Sequence, residues 1–595
     1  MSYIPVTRLV SLAFTVYFIY LYFSIHEWLP IVGVVIAFSL FLLSGWFDWR
    51  WKARARELNI LEEINRQEIR AMEGDSSGFD PGTDFISEAH PYTRDLDIFG
   101  EGSVFQYINR SATRFGRNRL AWEMEHAYEL RGDIQQRQEA VRELAEMVDF
   151  RHQIRLLFSG QETTDEDKAA LERWLGGQPM KRIALARVIM FGCPVLTILA
   201  IGSAIAGLIA YPFPVAMVVI QLMVVGIYGK VTMKVHAAVS GNFRIIEKYA
   251  RFIELISGAS VTSRHLKGMQ LSLKSSKGAE PGKVIRRLAT LLNRLDTNLN
   301  LLVSVLLNGL FMFNLHVLVA VERWRSQHRE ELPRWFSVMA GFDALAGLAN
   351  YACNNPEYVY PEQTEGAFLF DASEMGHPLI GKGQCVTNSF EIKGWKQLCI
   401  ITGANMSGKS TFLRTIGTNC MLAMLGAPVF AARFRFTPVE IHSSVRTTDS
   451  LAKKESYFYA ELKRLKEIIT GLEQGQRKFI LLDEILKGTN SKDKQSGSIA
   501  LVRQLMNYEM AGIIATHDLV LGELSAHFPE NITNRCFEIS ISGDRMEIDY
   551  KIRDGVCRNL NATYLMKNMG ILIGDAAGEP RQEDLDTAGV SSPAQ

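Results

Sequence analysis

Between Thr402 and Thr411 the chain reads TGANMSGKST. Gly403, four residues, Gly408, Lys409 and Ser410 fill the G-x-x-x-x-G-K-[ST] spacing in full. In such a loop the glycines let backbone N–H groups wrap a phosphate chain, here those of Ala404, Asn405, Met406 and Ser407. The helix that follows, starting through Lys409, Ser410 and Thr411, turns its positive end on the same phosphates. Lys409 is expected to reach the β- and γ-phosphates and the Ser410 hydroxyl to hold Mg²⁺. Leu398–Thr402 reads as a short buried strand, so the context is strand, loop, helix, as a site for ATP and Mg²⁺ requires.

Two further strand ends carry groups that suit this chemistry. Phe479–Leu482 is an apolar strand ending in Asp483 and Glu484. An acid there is placed to hold Mg²⁺, directly or through water. Its neighbour Glu484 is placed to polarise an attacking water, a role whose loss costs roughly 10²–10⁴-fold. Ile513–Ala515 is another strand, followed by Thr516 and His517. His517 in that position can bond a γ-phosphate and report its hydrolysis. A fourth segment, DSLAKKESYFYAELKRLKEII, puts Ser456 where a helix begins, an N-cap and anion site. Phe458, Leu462, Leu465 and Ile469 mark one apolar face of that helix.

The elements around this machinery are oily. The chain has 595 residues, enough for about four units. With 47% hydrophobic and 22% charged residues it is neither disordered nor fibrous. Lys+Arg is 65 against 64 for Asp+Glu, which excludes a uniformly basic nucleic-acid coat. The seven cysteines are scattered without a CxxC pair, which argues against a disulfide framework or zinc knuckle and fits a reducing compartment. The apolar excess lies in four uncharged runs: Leu9–Ile25, Leu29–Phe47, Val188–Ala210 and Phe213–Gly229. Their lengths, 17, 19, 23 and 17 residues, suit a bilayer that needs about 20. The links within each pair are too short for anything but a helical hairpin. Arg50, Lys52, Arg54 and Arg56 follow the first pair among Trp46, Trp49 and Trp51. Lys181, Arg182, Arg187, Lys230 and Lys234 flank the second, and the tight turns carry no Lys or Arg. This bias predicts an integral membrane protein with four spans, its N-terminus and the bulk of the chain cytoplasmic. A fifth oily stretch, Leu301–Val321, contains Asn308, Asn314 and His316, polar groups that are costly in lipid, and is expected as a buried soluble helix.

The organisation that follows is α and α/β. Residues 1–56 form a transmembrane hairpin with a basic flank, and 57–95 a helical segment and linker. Residues 96–182 are the first part of a helical core, interrupted by a second transmembrane hairpin at 183–234. The core resumes as a lever over 235–362, a P-loop nucleotide domain follows at 363–573, and 574–595 reads as a disordered tail. Between Arg264 and Arg294 eight basic residues (Arg264, Lys267, Lys274, Lys277, Lys283, Arg286, Arg287, Arg294) face one acid, Glu280. Three readings stay open for this stretch: a solvated helical face, a contact with DNA phosphates that weakens steeply with salt, or a contact with anionic lipid heads.

Taken together, the motifs resemble the MutS family of ABC-type ATPases. TGANMSGKST is similar to the family's TGPNMGGKST, with Ala404 for Pro and Ser407 for Gly. DEILKGTNSKD resembles DEIGRGTSTYD, retaining Gly488 and Thr489. SYFYAEL resembles the signature STFMVEM, matching at Ser456, Phe458 and Glu461. ATHD at Ala515–Asp518 resembles ATHY, and GHPLI at Gly376–Ile380 resembles the family's RHP entry to its ATPase domain. FDALAGLA at Phe342–Ala349 is similar to LDVLASLA. The likeness covers about residues 96–180 and 235–573.

The resemblance implies an ATP hydrolase working as a homodimer, with Ser456 of a second copy completing each site. Binding would clamp two ATPase domains together, hydrolysis would release them, and the helices would transmit the movement, with DNA as an implied partner. The departures weigh against a mismatch sensor of the usual kind. The mismatch-reading domain with its Phe-x-Glu wedge and the connector domain have no counterpart, the second hairpin interrupts the lever, and the C-terminal helix-turn-helix is missing or reduced to NLNATYLMKNMGI. Two other functions compete. One is an ABC-type transporter, although LSGGQ is absent and the spans hold almost no ionisable groups. The other is a membrane scaffold that binds ATP without turnover, although Lys409, Glu484 and His517 are intact.

Overall fold

The computed structural model describes residues 3–160, 165–177, 180, 183–239, 243–275, 278–297, 301–445, 457–487, 489–542 and 545–557. It is a mixed α/β protein that divides into two compact units. One comprises Met1–Ile86, Phe99–Tyr358 and Leu422–Pro428, and the other Ser87–Ile98, Val359–Met421 and Val429–Gln595. The expected tail at 574–595 lies outside the described residues.

The first unit is helical. Tyr3–Ile25 and Leu29–Met72 form a hairpin through a turn at His26, whose φ is +57°. Apolar side chains cover both helices on the outside, with Leu9, Phe23, Leu29 and Val35 all exposed. Helices suit that setting because each backbone group finds its partner within the same segment. Leu29–Met72 runs 44 residues unbroken, about 66 Å at 1.5 Å per residue. Its apolar first part therefore continues directly into the charged part. Ile183–Ile205 and Pro212–Val239 form the second hairpin. Thr197 and Gln221, both buried, hydrogen-bond across it. Four helices among the described residues are long and apolar enough to cross a membrane.

The stretch Leu301–Val321 departs from the single buried helix expected of it. It breaks at Met312, φ +50°, into Leu301–Phe311 and Phe313–His328, bent by 78°. The second piece is largely buried, whereas the first exposes Val305, Leu306 and Phe311. Around the break, Met312, Leu315 and Val319 pack with Ala186, Cys193 and Tyr228 of the second hairpin. The side chain of Asn308 explains how polar groups survive there. Its Nδ2 donates to the Ser304 carbonyl (2.9 Å) and its Oδ1 accepts from Asn314 N (2.8 Å), so an N–H left over at the start of the second helix is answered locally.

The rest of this unit is built on Glu331–Asn354, a helix buried on nearly every side. Asp343, on that helix, accepts from Ala112 N, Thr113 N and Thr113 Oγ1. Thr113 in turn caps Arg114–Glu125 by accepting from Gly116 N. Phe115, Tyr249 and Phe336 meet edge to face with centroids 5.2–5.6 Å apart.

The second unit holds the strands: β1 (Glu362–Gln363), β2 (Leu369–Met375), β3 (Asn388–Lys393), β4 (Gln397–Gly403), β5 (Arg433–Phe436), β6 (Glu440–Ser444), β7 (Lys478–Asp483), β8 (Ala511–Thr516), β9 (Ile532–Ser542) and β10 (Arg545–Asp554). Six make one sheet in the order β10-β9-β4-β8-β7-β6, parallel except for the β9–β10 pair. Four make a smaller sheet, β1-β5-β2-β3. Strands β4, β7 and β8 are almost wholly buried, as their unbroken apolar runs require in a sheet covered on both faces. Helices Tyr457–Glu473 and Ser491–Leu505 pack on that sheet through Leu465, Ile468, Leu472, Leu501 and Val502.

Candidate functional site

The register of the large sheet sets three motif ends side by side. Thr402 pairs with Thr516, and Asp483 pairs with Ala515. The loop after β4, the acids at the end of β7 and His517 after β8 thus share one edge, the carboxyl ends of parallel strands, where α/β sheets bind ligands.

The loop has the shape its sequence suggests. A Cβ on Gly403 would lie 2.8 Å from both Phe537 O and Ser407 Oγ, so only glycine fits. Gly408 has φ +102° and Met406 φ +66°, left-handed turns that coil successive N–H groups inward. Lys409 Nζ donates to the carbonyls of Gly403 (2.8 Å) and Ala404 (2.7 Å), so it reaches back across the loop. Burial lowers its pKa, opposed by the charges of Glu484 and Asp483. The buried Ser407 hydroxyl has no hydrogen-bond partner. Asn405 and Met406 are exposed at the loop tip, and Thr411 is the third residue of the helix Lys409–Leu425. This cradle fits a phosphate chain.

Ser410 Oγ donates to Asp483 Oδ2 at 2.5 Å, which brings together the two groups expected on Mg²⁺. Asp483 is buried, and burial raises its carboxyl against the lowering effect of Ser410. Glu484 has φ +51° and its N–H bonds the Ala515 carbonyl at 2.8 Å, which turns its side chain out of the strand. Its carboxylate lies 3.3 Å from His517 Nδ1 and 3.6 Å from Lys487 Nζ. Burial works to raise it, but the charges of Lys487 and His517 outweigh that and leave it below the usual range. Lys409, Ser410, Asp483, Glu484 and His517 are therefore gathered in one place. Ser456 lies outside the described residues.

Two features go beyond the sequence reading, which names Glu461 only as a match within SYFYAEL and gives it no role. Glu461 is buried and accepts from Leu486 N (2.6 Å) and Lys487 N (3.3 Å), so it holds the loop just past Glu484. Glu461 stands three residues after Phe458 and four before Leu465, a spacing compatible with that helical face but silent about the loop it holds. That face runs through Phe458, Leu465, Ile468 and Leu472, while Leu462 is exposed. The second feature is a cavity of about 260 Å³ beside Gly408 and Thr411, walled by His377, Ile380, Phe412 and Tyr550. Burial and the Arg414 charge push His377 down to about 4, so its imidazole is neutral.

The basic stretch is divided between helices. Arg264 and Lys267 lie on Arg264–Leu273 and Lys274 caps it, whereas Lys283, Arg286, Arg287 and Arg294 lie on Pro281–Thr297. Lys283 pairs with Glu280 at 2.6 Å and Arg286 pairs with Glu254. Lys277 is outside the described residues.

Residues 399–583 match the family model described as MutS domain V. The DNA mismatch repair protein MutS of Thermotoga petrophila is 29% identical over 249 residues, 41% of this chain and 30% of its own length. That of Finegoldia magna is 31% identical over 252 residues, 41% and 28%. MutS protein homolog 4 of Mus musculus is 28% identical over 277 residues, 45% and 27%. This chain is similar to MutS proteins over the family-model match and the aligned residues. It spans about three tenths of the length of these curated relatives, and the family model covers the segment that carries β4, β7, β8 and the site between them. The MutS relation therefore attaches to the unit that gathers Lys409, Asp483, Glu484 and His517.

Proposed function

We propose that the chain is a membrane-anchored, MutS-like ATPase. The observation that carries this is the meeting of Ser410 and Asp483 beside Lys409, with Glu484 and His517 on the adjoining strand ends. The loop from Gly403 to Thr411 binds the phosphates of ATP through its backbone N–H groups and Lys409. Ser410 and Asp483 hold Mg²⁺, which supplies charge neutralisation on the phosphates. Glu484, kept ionised by Lys487 and His517, takes a proton from the attacking water, and His517 senses the γ-phosphate. The cavity bounded by Phe412 and Tyr550 suits the base. A second copy completes each site through Ser456. The four apolar helices anchor the chain in a bilayer with its N-terminus and nucleotide unit on the cytoplasmic side. Nucleotide-driven clamping moves the helical core. The family relation supports DNA as partner. The ion pairs at Lys283 and Arg286 leave the DNA, lipid and solvated readings of the basic stretch in competition.

The test is the Glu484→Gln variant of the purified, detergent-solubilised protein. It should bind ATP as the parent does and lose turnover by at least a hundredfold, within the roughly 10²–10⁴-fold range for a general base. Unchanged turnover would overturn the assignment. Turnover of the parent with and without duplex DNA, across a salt series, separates a DNA-dependent motor from a membrane or protein partner.

A further inference from the structure

The helical unit contains a cleft of about 800 Å³ that the nucleotide site does not use. Helices Arg114–Glu125, Ile134–Glu146, Arg264–Leu273 and Glu331–Asn354 line it. Its size is that of a pocket for a small organic ligand, for which 300–1,000 Å³ is usual. Its floor is a buried charge cluster. Glu123 accepts from Arg137 Nη2 at 2.6 Å and from Arg119 Nε at 2.7 Å, and Arg137 Nε is also fixed on the Leu425 carbonyl at 2.9 Å. One carboxylate thus answers two guanidinium groups. At the rim, Arg264 and Lys267 are exposed. Asp133 is the other acid in the lining. Four cations against two carboxylates leave an excess of two positive charges. The half-buried His265 stands in the wall, kept neutral by burial and by the Arg137 charge. One side of the wall is apolar, formed by Leu130, Met269, Val338 and Leu345, and Gln136, Thr262, Ser272 and Ser337 add polar groups to the lining.

Such a lining complements a dianion joined to an apolar or flat body. We infer that this cleft binds a small phosphate monoester of about nucleotide size, its phosphate between Arg264, Lys267 and Arg119 and its body against the apolar wall. The pre-paired Arg137–Glu123 floor resists rearrangement, so the exposed Arg264 and Lys267 supply most of the discrimination for the phosphate. Charge-assisted bonds of this kind are the strong ones.

The experiment uses full-length protein in detergent with Lys409→Ala, so that the phosphate loop does not mask the result, and radiolabelled adenosine 5′-monophosphate in equilibrium dialysis. Saturable binding is expected, with adenosine failing to compete. Adding R264E and K267E should weaken binding at least tenfold, about the loss of one charge-assisted hydrogen bond. With Lys409 intact, that surface pair should leave ATP turnover unchanged, which shows the fold is preserved. Absence of saturable binding, or equal binding with and without the charge reversals, overturns the inference. So does duplex DNA that binds in a manner dependent on Arg264 and Lys267 while the monophosphate does not, since the cations would then serve an extended backbone.

Discussion

Ser410 Oγ donates to Asp483 Oδ2 across 2.5 Å and so ties the first turn of the helix after the phosphate loop to the last residue of β7. The bond also opposes the burial that raises the Asp483 carboxyl. Removing the hydroxyl with Ser410→Ala should therefore act twice. On the proposed assignment one oxygen ligand for Mg²⁺ is lost, and burial raises the Asp483 carboxyl without the hydroxyl to oppose it. Because only the ionised carboxylate would hold the metal, the Mg²⁺ requirement should rise and should rise more at the lower of two pH values. ATP turnover at fixed Mg²⁺ should fall at least tenfold, as for loss of a first ligand in a phosphoryl-transfer site. Mg²⁺ titrations of parent and variant at the two pH values check this. An increase in Mg²⁺ requirement that is equal at both would break the link to Asp483.

Glu461 offers a prediction about positioning rather than contact with substrate. Its carboxylate holds the N–H groups of Leu486 and Lys487, immediately after Glu484. Glu484 and Leu486 both have positive φ, +51° and +59°, conformations that a non-glycine residue keeps only when its surroundings enforce them. Glu461→Ala would leave two N–H groups without their acceptor, at about 1–3 kcal/mol for the buried one of Leu486 and less for that of Lys487. The expected outcome is a kcat about tenfold lower with the Kd for ATP unchanged. Glu461→Gln keeps an acceptor oxygen towards Leu486 and should restore most of the turnover. A Gln variant as slow as the Ala variant would instead mean that the charge of Glu461 matters more than the hydrogen bond.

These two cases show where the sequence is informative. Gly403, Gly408, Lys409, Ser410, Asp483 and Glu484 stand out because their chemistry fixes both residue type and spacing, and because each ends or follows an apolar run that can only be a buried strand. Glu461 needs the tertiary structure, since its partners are backbone groups 25 and 26 residues away. The four long apolar helices are legible from length alone. The break at Met312 is not, because methionine gives no sign of a positive φ and the polar Asn308 that answers the broken turn reads from sequence as a mark of a soluble helix. Leu462 fails for a plainer reason: with four apolar residues to choose from, helical spacing alone cannot say that Glu461 takes the buried place.

Glu68 carries the third prediction. It lies on Leu29–Met72, beyond that helix's apolar first part, and enters the helical unit with 11% of its side chain exposed. There Oε1 accepts from Arg110 Nε at 2.7 Å and Arg155 Nη1 at 2.6 Å, while Oε2 accepts from Asn350 Nδ2 at 3.0 Å and Asn354 Nδ2 at 3.1 Å. Glu68→Ala would strand Arg110, whose side chain is only 3% exposed. Removing one partner of a buried ion pair costs about 3–5 kcal/mol, because the other charge stays desolvated. The helical unit should melt several degrees lower at pH 7, and the charged end of Leu29–Met72 should become accessible to trypsin at Arg66 and Arg70. The pH dependence follows from the sign of the shift. Burial works to raise the Glu68 carboxyl, but Arg110 and Arg155 outweigh it and the value falls below its ordinary 4.5. A lowered carboxyl stabilises the fold fully above its unfolded value and loses that contribution as pH falls through its folded one. The gap in melting temperature between parent and Glu68→Ala should therefore hold constant from pH 7 to about 5 and close only below 4.5. Glu68→Gln, which keeps hydrogen-bonding atoms but not the charge, should fall between them at pH 7. A gap that closes already at pH 6 would mean that another group, not Glu68, sets the stability of this junction.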